Sequence, residues 1–74
     1  MRGLYKRMDR QKFERVMEHI IDYIERTGLD PYDQIRAYLL TGDEKYITRE
    51  GKARDYIQRL DKEQIKRYIK EIYR

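Results

Sequence analysis

The stretch Asp30-Pro31-Tyr32-Asp33-Gln34-Ile35, followed by Thr41-Gly42-Asp43, marks a short helix clearly at both ends. Asp30 is suited to the N-cap and Pro31 to the first helical position, where an N–H would lack a partner in any case. Asp33 adds a negative charge near the positive end of the helix dipole. Gly42 can adopt the left-handed conformation that ends many helices. We therefore predict a helix from Pro31 to about Leu40.

Apolar residues on both sides of this helix recur at the spacing of amphipathic helices. We predict a long first helix over about residues 9–27, with Asp9 as its N-cap and Thr27-Gly28 at its end. Asp22 and Arg26 are spaced as an i, i+4 ion pair on its outer side. Its apolar face comprises Phe13, Val16, Met17, Ile20, Ile21 and Ile24. In the second helix the inner face comprises Ile35, Tyr38 and Leu39, with Leu29 packed at the entry.

Capping residues also divide the second half of the chain. Asp43 is placed to cap a single turn that contains Tyr46 and Ile47, and Thr48 is placed to cap a third helix. Asp61 followed by Gln64 forms a capping-box pattern at the start of the last helix. The third helix is predicted to bury Ala53, Tyr56, Ile57 and Leu60, and the last one Ile65, Tyr68, Ile69, Ile72 and Tyr73.

The predicted fold class is therefore all-α. No segment alternates with the period of a β-strand, and the connections between helices are short. We expect one small domain of four to five helices over residues 9–74, with two helix-turn-helix-like corners. Residues 1–8, which carry three basic side chains and no acidic one, are predicted to form a loosely ordered basic segment.

Composition points to self-association. The chain has 74 residues, of which 43% are charged and 39% hydrophobic, so the core of one copy is small. Cysteine is absent, which excludes disulfides as a means of stabilising it. The end of the last helix carries more apolar surface than a chain of this size can cover, and we expect a twofold homodimer. The predicted dimer interface comprises Tyr68, Ile69, Ile72 and Tyr73.

The residue types that most enzymes use are scarce. His19 is the only histidine, and there is no serine or cysteine to act as a nucleophile or thiolate ligand. We therefore expect no enzyme, no metal site and no cofactor. No apolar run is long enough to span a membrane and no signal peptide is present, so we expect a cytoplasmic location. Many ionisable and few thermolabile residues are typical of a heat-adapted protein.

Basic side chains form a ridge along the last helix. Lys62, Lys66, Lys70 and Arg74 recur every four residues. Such a ridge next to helix-turn-helix-like corners also fits a small basic nucleic-acid-binding protein, which is the alternative function. A solvated helix face explains the same pattern, because Glu63, Arg67 and Glu71 are interleaved as i, i+4 partners. The tyrosines at inner positions also favour core or interface roles over base stacking.

From Gly28 onward the chain resembles the IreB-like family of small helical regulatory proteins from low-GC Gram-positive bacteria. The resemblance has no gaps through residues 28–57. The matching residues are Gly28, Asp30-Pro31, Gln34-Ile35, Tyr38, Leu40, Thr41-Gly42-Asp43, Tyr46-Ile47, Arg49, Ala53-Arg54, Ile57, Ile65 and Tyr73.

The resemblance implies a helical homodimer that does not act by binding DNA. It also implies a non-enzymatic regulatory or adaptor role downstream of a membrane Ser/Thr protein kinase, in a cell-envelope stress pathway. A Ser/Thr kinase or a downstream protein is then the expected partner. The candidate partner surface comprises the polar residues on which the resemblance falls, which are Gln34, Asp43, Tyr46, Arg49 and Arg54.

The chain departs from the family at the modified residue. Family members carry a phosphoacceptor threonine in the N-terminal segment, but residues 1–26 of this chain contain no Ser or Thr. Its threonines are Thr27, Thr41 and Thr48, all at predicted helix ends. A phosphate favours a helix N-terminus and opposes a C-terminus, which on this prediction sets Thr48 apart from Thr27.

Overall fold

Four α-helices and one 3-10 turn make up the regular structure of residues 9–73, the part of the chain that the computed structural model describes. The helices are α1 (Arg10–Arg26), α2 (Pro31–Thr41), α3 (Ala53–Gln58) and α4 (Lys62–Ile72), and the 3-10 turn is Glu44–Tyr46. The all-α prediction is confirmed. The predicted loose segment 1–8 lies outside the described residues.

The core lies between the apolar face of α1 and the three later helices. α1 packs mainly on α3, and α2 contacts the 3-10 turn, α1 and α4. The hydrophobic core comprises Phe13, Met17, Ile20, Ile24, Ile35, Tyr38, Ile47, Ala53, Ile57, Leu60, Ile65 and Ile69. Every one of them stands at a position that the sequence pattern assigned to an inner face or an apolar turn. Tyrosine rings lie around this core, packed edge-on or tilted, as in the T-shaped contact of Tyr68 with Phe13.

Side-chain caps set several element ends as predicted. The Asp30 carboxylate accepts a hydrogen bond from the Tyr32 N–H at 3.0 Å, directly before Pro31. Gly42 ends α2 with φ +75°. The carboxylate of Asp61 accepts from the Gln64 N–H at 3.0 Å, and Asp43 caps the 3-10 turn through the Lys45 N–H at 2.9 Å. Asp22 and Arg26 form the predicted ion pair at 2.9 Å.

Three predictions of the sequence analysis are wrong. Thr48 does not cap α3, which begins five residues later at Ala53; its hydroxyl instead accepts from the Glu50 N–H at 3.1 Å and closes a local turn. Leu29 does not pack at the entry of α2, because it is 54% exposed. Ile72 is not buried by its own chain and is 44% exposed. Asp9 stands at the N-cap of α1, but its side chain makes no capping hydrogen bond.

Gly51 allows the chain between the 3-10 turn and α3 to pass close to α1. Its φ is +57°, a conformation that favours glycine, and a Cβ atom there would overlap the ring of Tyr23 on α1. Gly28 also has a positive φ, +82°, but a Cβ atom there would have nothing within 4 Å. A side chain at Gly28 would therefore meet only backbone strain, whereas one at Gly51 would meet backbone strain and a steric overlap with Tyr23.

We predict that Gly51→Ala lowers the free energy of unfolding by at least about 2 kcal/mol, because left-handed strain and overpacking against Tyr23 add. Gly28→Ala is the matched control and should lower it by only about 1 kcal/mol, from the backbone conformation alone. Urea unfolding followed by circular dichroism measures both. Equal losses for the two variants would show that the contact with Tyr23 adds nothing.

Candidate functional site

The segment between α2 and α3, residues 43–52, is held by side chains from the helices on either side; we call it the 43–52 loop. From α2, the Gln34 Oε1 atom accepts a hydrogen bond from the Thr48 N–H at 2.8 Å. From α3, the Arg54 Nε donates to the Ile47 carbonyl oxygen at 2.8 Å, and its Nη2 donates to that of Lys45 at 3.4 Å. Ile47, between these contacts, is 1% exposed and belongs to the core.

The five residues of the predicted partner surface divide into two groups. Gln34, Asp43 and Arg54 use their polar atoms within the chain, on backbone groups of the 43–52 loop. Tyr46, which is 50% exposed, and Arg49 lie on the surface of the loop. The structure thus places all five in or beside one loop, with three holding it in shape and two available for contact.

The exposed side of this loop is cationic. A surface groove there is lined by Arg49, Gly51, Lys52, Arg54 and Asp55. Residues 45–54 contain four basic side chains and one acidic side chain, which gives a local charge of +3. Positive charge at this density favours acidic groups on a binding partner and attracts them over a distance.

A second surface feature, the α2–α4 groove, runs between these two helices. It has a volume of about 510 Å³ and an apolar floor that includes Leu39, Ile69 and Tyr73. Leu40 at its edge is 73% exposed. Lys62, Lys66 and Lys70 of the predicted nucleic-acid ridge line the same groove together with Arg36, whereas Arg74 lies outside the described residues.

The ridge is therefore not a purely solvated helix face. The ammonium group of Lys62 lies 5.4 Å from the centre of the Tyr38 ring, a cation–π contact that ties it to the core. An apolar floor rimmed by cations suits an amphipathic protein segment better than a nucleic-acid duplex, whose phosphate contacts need no apolar surface.

The four predicted dimer residues differ in exposure. Ile69 is 5% exposed and packs in the core of its own chain, so it lies beneath the exposed patch and has little surface left for contact with a second copy. Ile72 is 44% exposed, and Tyr68 and Tyr73 are partly buried. The Tyr73 ring lies 5.4 Å from that of Tyr32, centre to centre, which fixes the end of α4 against the start of α2.

Burial also affects the two tyrosine hydroxyls. Desolvation raises the pKa of Tyr68 above 10.0, and the charges of Glu18 and Glu14 raise it further. Desolvation likewise raises the pKa of Tyr73, followed by the charges of Glu25 and Asp30. Both phenols therefore stay neutral over the physiological range, and their apolar rings remain available for packing.

His19 and the acidic side chains are the remaining candidates for metal binding in residues 9–73. His19 is exposed on α1, and no group of three or more His, Cys, Asp or Glu side chains in this part of the chain is arranged to hold a metal ion. Over the same residues no helix combines the length and apolar character of a membrane span.

Sequence reasoning missed two features of these surfaces. Arg36 was not assigned to any site. It lies four residues before Leu40 on the same face of α2, so both line the α2–α4 groove. Gly51 was not singled out either, because its contact partner Tyr23 is 28 positions away in the sequence.

Comparison with known families identifies the chain. The family model described as IreB regulatory phosphoprotein matches residues 2–73. The chain belongs to this family. The resemblance noted from Gly28 onward is thereby confirmed, and the match also covers the first helix.

IreB proteins are regulatory phosphoproteins and not a family of enzymes, so the chain has a regulatory role linked to a protein kinase. Residues on which the resemblance rested now have physical roles. Asp30 and Pro31 begin α2 and Gly42 ends it, while Gln34 and Arg54 hold the 43–52 loop.

We predict that Arg54→Ala lowers the free energy of unfolding by about 1 to 2 kcal/mol, because two backbone carbonyls of the 43–52 loop lose a charged donor. Arg49→Ala is the matched control, since Arg49 is exposed, and should change it by less than about 0.5 kcal/mol. Thermal and urea unfolding of the two variants test this. A loss at Arg49 equal to that at Arg54 would contradict the assigned roles.

We also predict that stability falls in alkaline solution. Because folding raises the pKa of Tyr68 and Tyr73, their contribution is complete below pH 10.0 and is lost as the pH rises through their higher folded values. Replacing both with phenylalanine should make the decline with pH shallower. Urea midpoints measured across this pH range test it, and a double variant that declines as steeply as the wild type contradicts it.

Proposed function

We propose that this protein is a non-enzymatic regulatory or adaptor protein that acts as a homodimer in a kinase-linked cell-envelope stress pathway. The match to the IreB regulatory phosphoprotein family over residues 2–73 is the observation that carries the regulatory role. The exposed surfaces of residues 9–73 support the rest, since they offer an apolar area for self-association and a cationic loop for a partner.

The homodimer is proposed to form through the end of α4. Ile72, at 44% exposure, is the most accessible of the four predicted interface residues, with Tyr68 and Tyr73 partly exposed beside it and Ile69 beneath. A twofold axis through this patch would place each Ile72 against apolar rings of the other copy and remove it from water. The α2–α4 groove, which Tyr73 also lines, adds apolar area next to the patch.

Recognition of the downstream protein is proposed to use the 43–52 loop. Tyr46 supplies a half-exposed aromatic ring and Arg49 an exposed guanidinium, two residue types that often dominate binding energy at interfaces. Gln34, Asp43 and Arg54 act indirectly, because they keep the loop in the conformation that presents Tyr46 and Arg49.

Two variants separate self-association from partner binding. Ile72→Glu should convert the dimer into a monomer, because it would bury an unpaired charge against the apolar rings of the other copy. Tyr46→Glu makes the same type of substitution at an exposed residue outside the proposed interface and should leave the dimer intact. Sedimentation equilibrium of both variants and the wild type measures the mass.

The same variants test the function in cells. Each is returned as the only copy to a strain that lacks the gene, and growth is measured under a cell-wall antibiotic. We expect both to lose function, Ile72→Glu through the lost dimer and Tyr46→Glu through the lost partner. A wild-type protein that sediments as a single chain would overturn the dimer, and full function of Tyr46→Glu would overturn the partner surface.

A further inference from the structure

The α2–α4 groove extends well beyond the proposed dimer patch at the end of α4. Its lining residues on α4 run from Lys62 to Tyr73, so by the rise of a helix the groove follows α4 for about 16 Å. The Tyr32 ring lies against that of Tyr73, and Lys62 lies against the ring of Tyr38, so α2 and α4 run side by side in opposite directions. The groove is long enough for about three turns of a third helix.

The floor of the groove is apolar and open to water at one edge. Leu40 is 73% exposed, which makes it the most exposed large hydrophobic side chain of residues 9–73. A single exposed leucine is common on protein surfaces, but this one continues the apolar floor that includes Leu39, Ile69 and Tyr73. Contiguous apolar surface with a polar rim is typical of a site that another molecule covers.

The rim of the groove is cationic. Four basic side chains and one acidic side chain among its described lining residues give a local charge of +3; they are Arg36, Lys62, Lys66, Lys70 and Glu63. Arg36, Lys66 and Lys70 are exposed, and within residues 9–73 they form no ion pair. These three charges are therefore available to carboxylates of a partner.

The spacing of the cations favours a helical partner. Lys62, Lys66 and Lys70 follow one another at four-residue steps, which are about 6 Å apart along α4. Acidic residues at i, i+4 and i+8 of a second helix repeat at the same distance. An extended peptide usually binds by adding a strand to a sheet edge, and the backbone groups of α2 and α4 are already paired within their helices.

Charge opposes the two occupants that the chain itself could supply. Residues 1–8 carry three basic side chains and no acidic one, so this segment is repelled by the rim. A second copy that paired groove to groove about a twofold axis would bring the same four cations face to face. The groove therefore fits an acidic partner better than any part of its own chain.

We propose that the α2–α4 groove binds an amphipathic helix of another protein, with leucine-like side chains on one face and Asp or Glu along its edges. The apolar face of that helix covers Leu39 and Leu40, and its carboxylates pair with Arg36, Lys66 and Lys70. This surface goes beyond the proposed function, because it is separate from the 43–52 loop and does not require the dimer.

The experiment titrates three synthetic peptides of about 14 residues, or four helical turns, into the full chain labelled with nitrogen-15. The acidic peptide has leucine at i, i+3, i+4 and i+7 and glutamate along both edges. The second peptide replaces every glutamate with lysine, and the third scrambles the acidic sequence so that the apolar face is lost. We expect the acidic peptide to shift the amide signals of groove residues and to bind at least about tenfold more tightly than the other two.

Variants of the full chain test the two halves of the site. Lys66→Glu should weaken binding of the acidic peptide by about tenfold and improve binding of the lysine peptide. Arg67→Glu is the matched control, since it makes the same change of charge on the same helix but lies outside the groove lining, and should change the affinity by less than about twofold. Leu40→Gln should weaken binding by about tenfold through lost apolar contact, and circular dichroism checks that it folds.

Several results would overturn this proposal. The first is the absence of shifts at the groove on addition of the acidic peptide, and the second is equal binding of the acidic and lysine peptides. Shifts confined to the 43–52 loop would also overturn it and leave that loop as the partner surface. Conversion of a wild-type dimer to a monomer by Leu40→Gln, measured by sedimentation equilibrium, would show that a second copy covers the groove. Binding of a DNA duplex that Lys66→Glu abolishes and Arg67→Glu preserves would assign the groove to nucleic acid instead.

Discussion

The hydrogen bonds from Gln34 and Arg54 to the 43–52 loop are the interactions on which the candidate surface depends. This loop has a single 3-10 turn and no long helix of its own, so local backbone bonds alone cannot fix its shape. Gln34 holds the Thr48 N–H and Arg54 holds the Ile47 carbonyl, one from each neighbouring helix. Ile47 is thereby seated in the core, and Tyr46 and Arg49 are left on the surface.

The helix ends could be predicted from the sequence because the interactions that set them are local. Asp30, Asp43 and Asp61 each bond a backbone N–H within three residues, and Gly42 needs only its own conformational freedom. The start of α3 could not be predicted, because the Thr48 hydroxyl makes the same short-range bond in a turn as it would at a helix N-terminus. Contacts from Gln34, 14 residues before Thr48, and from Arg54, seven residues after Ile47, distinguish the two.

The sequence predicted which residues lie at the candidate site, but not what each of them does there. The resemblance selected five residues that the structure brings to one loop. A hydrogen bond from a side chain to a loop carbonyl, such as that of Arg54, does not produce a recognisable spacing in the sequence. Arg54 and Arg49 therefore look alike as letters, although one holds the loop and the other is exposed. The exposure of Ile72 could not be predicted either. Its spacing is that of the buried face of α4, but it is the last residue of the helix and is 44% exposed.

α2 connects the two surfaces physically. Gln34 near its start reaches the 43–52 loop, and Leu39 and Leu40 near its end line the α2–α4 groove. A side-chain cap at one end of α2 and a left-handed glycine at the other fix where the helix begins and ends. α2 is therefore the element that joins the bond between Gln34 and Thr48 to the lining of the groove. Two contacts join α4 to α2 beside the groove, between Lys62 and Tyr38 and between Tyr73 and Tyr32, and they hold the groove in shape.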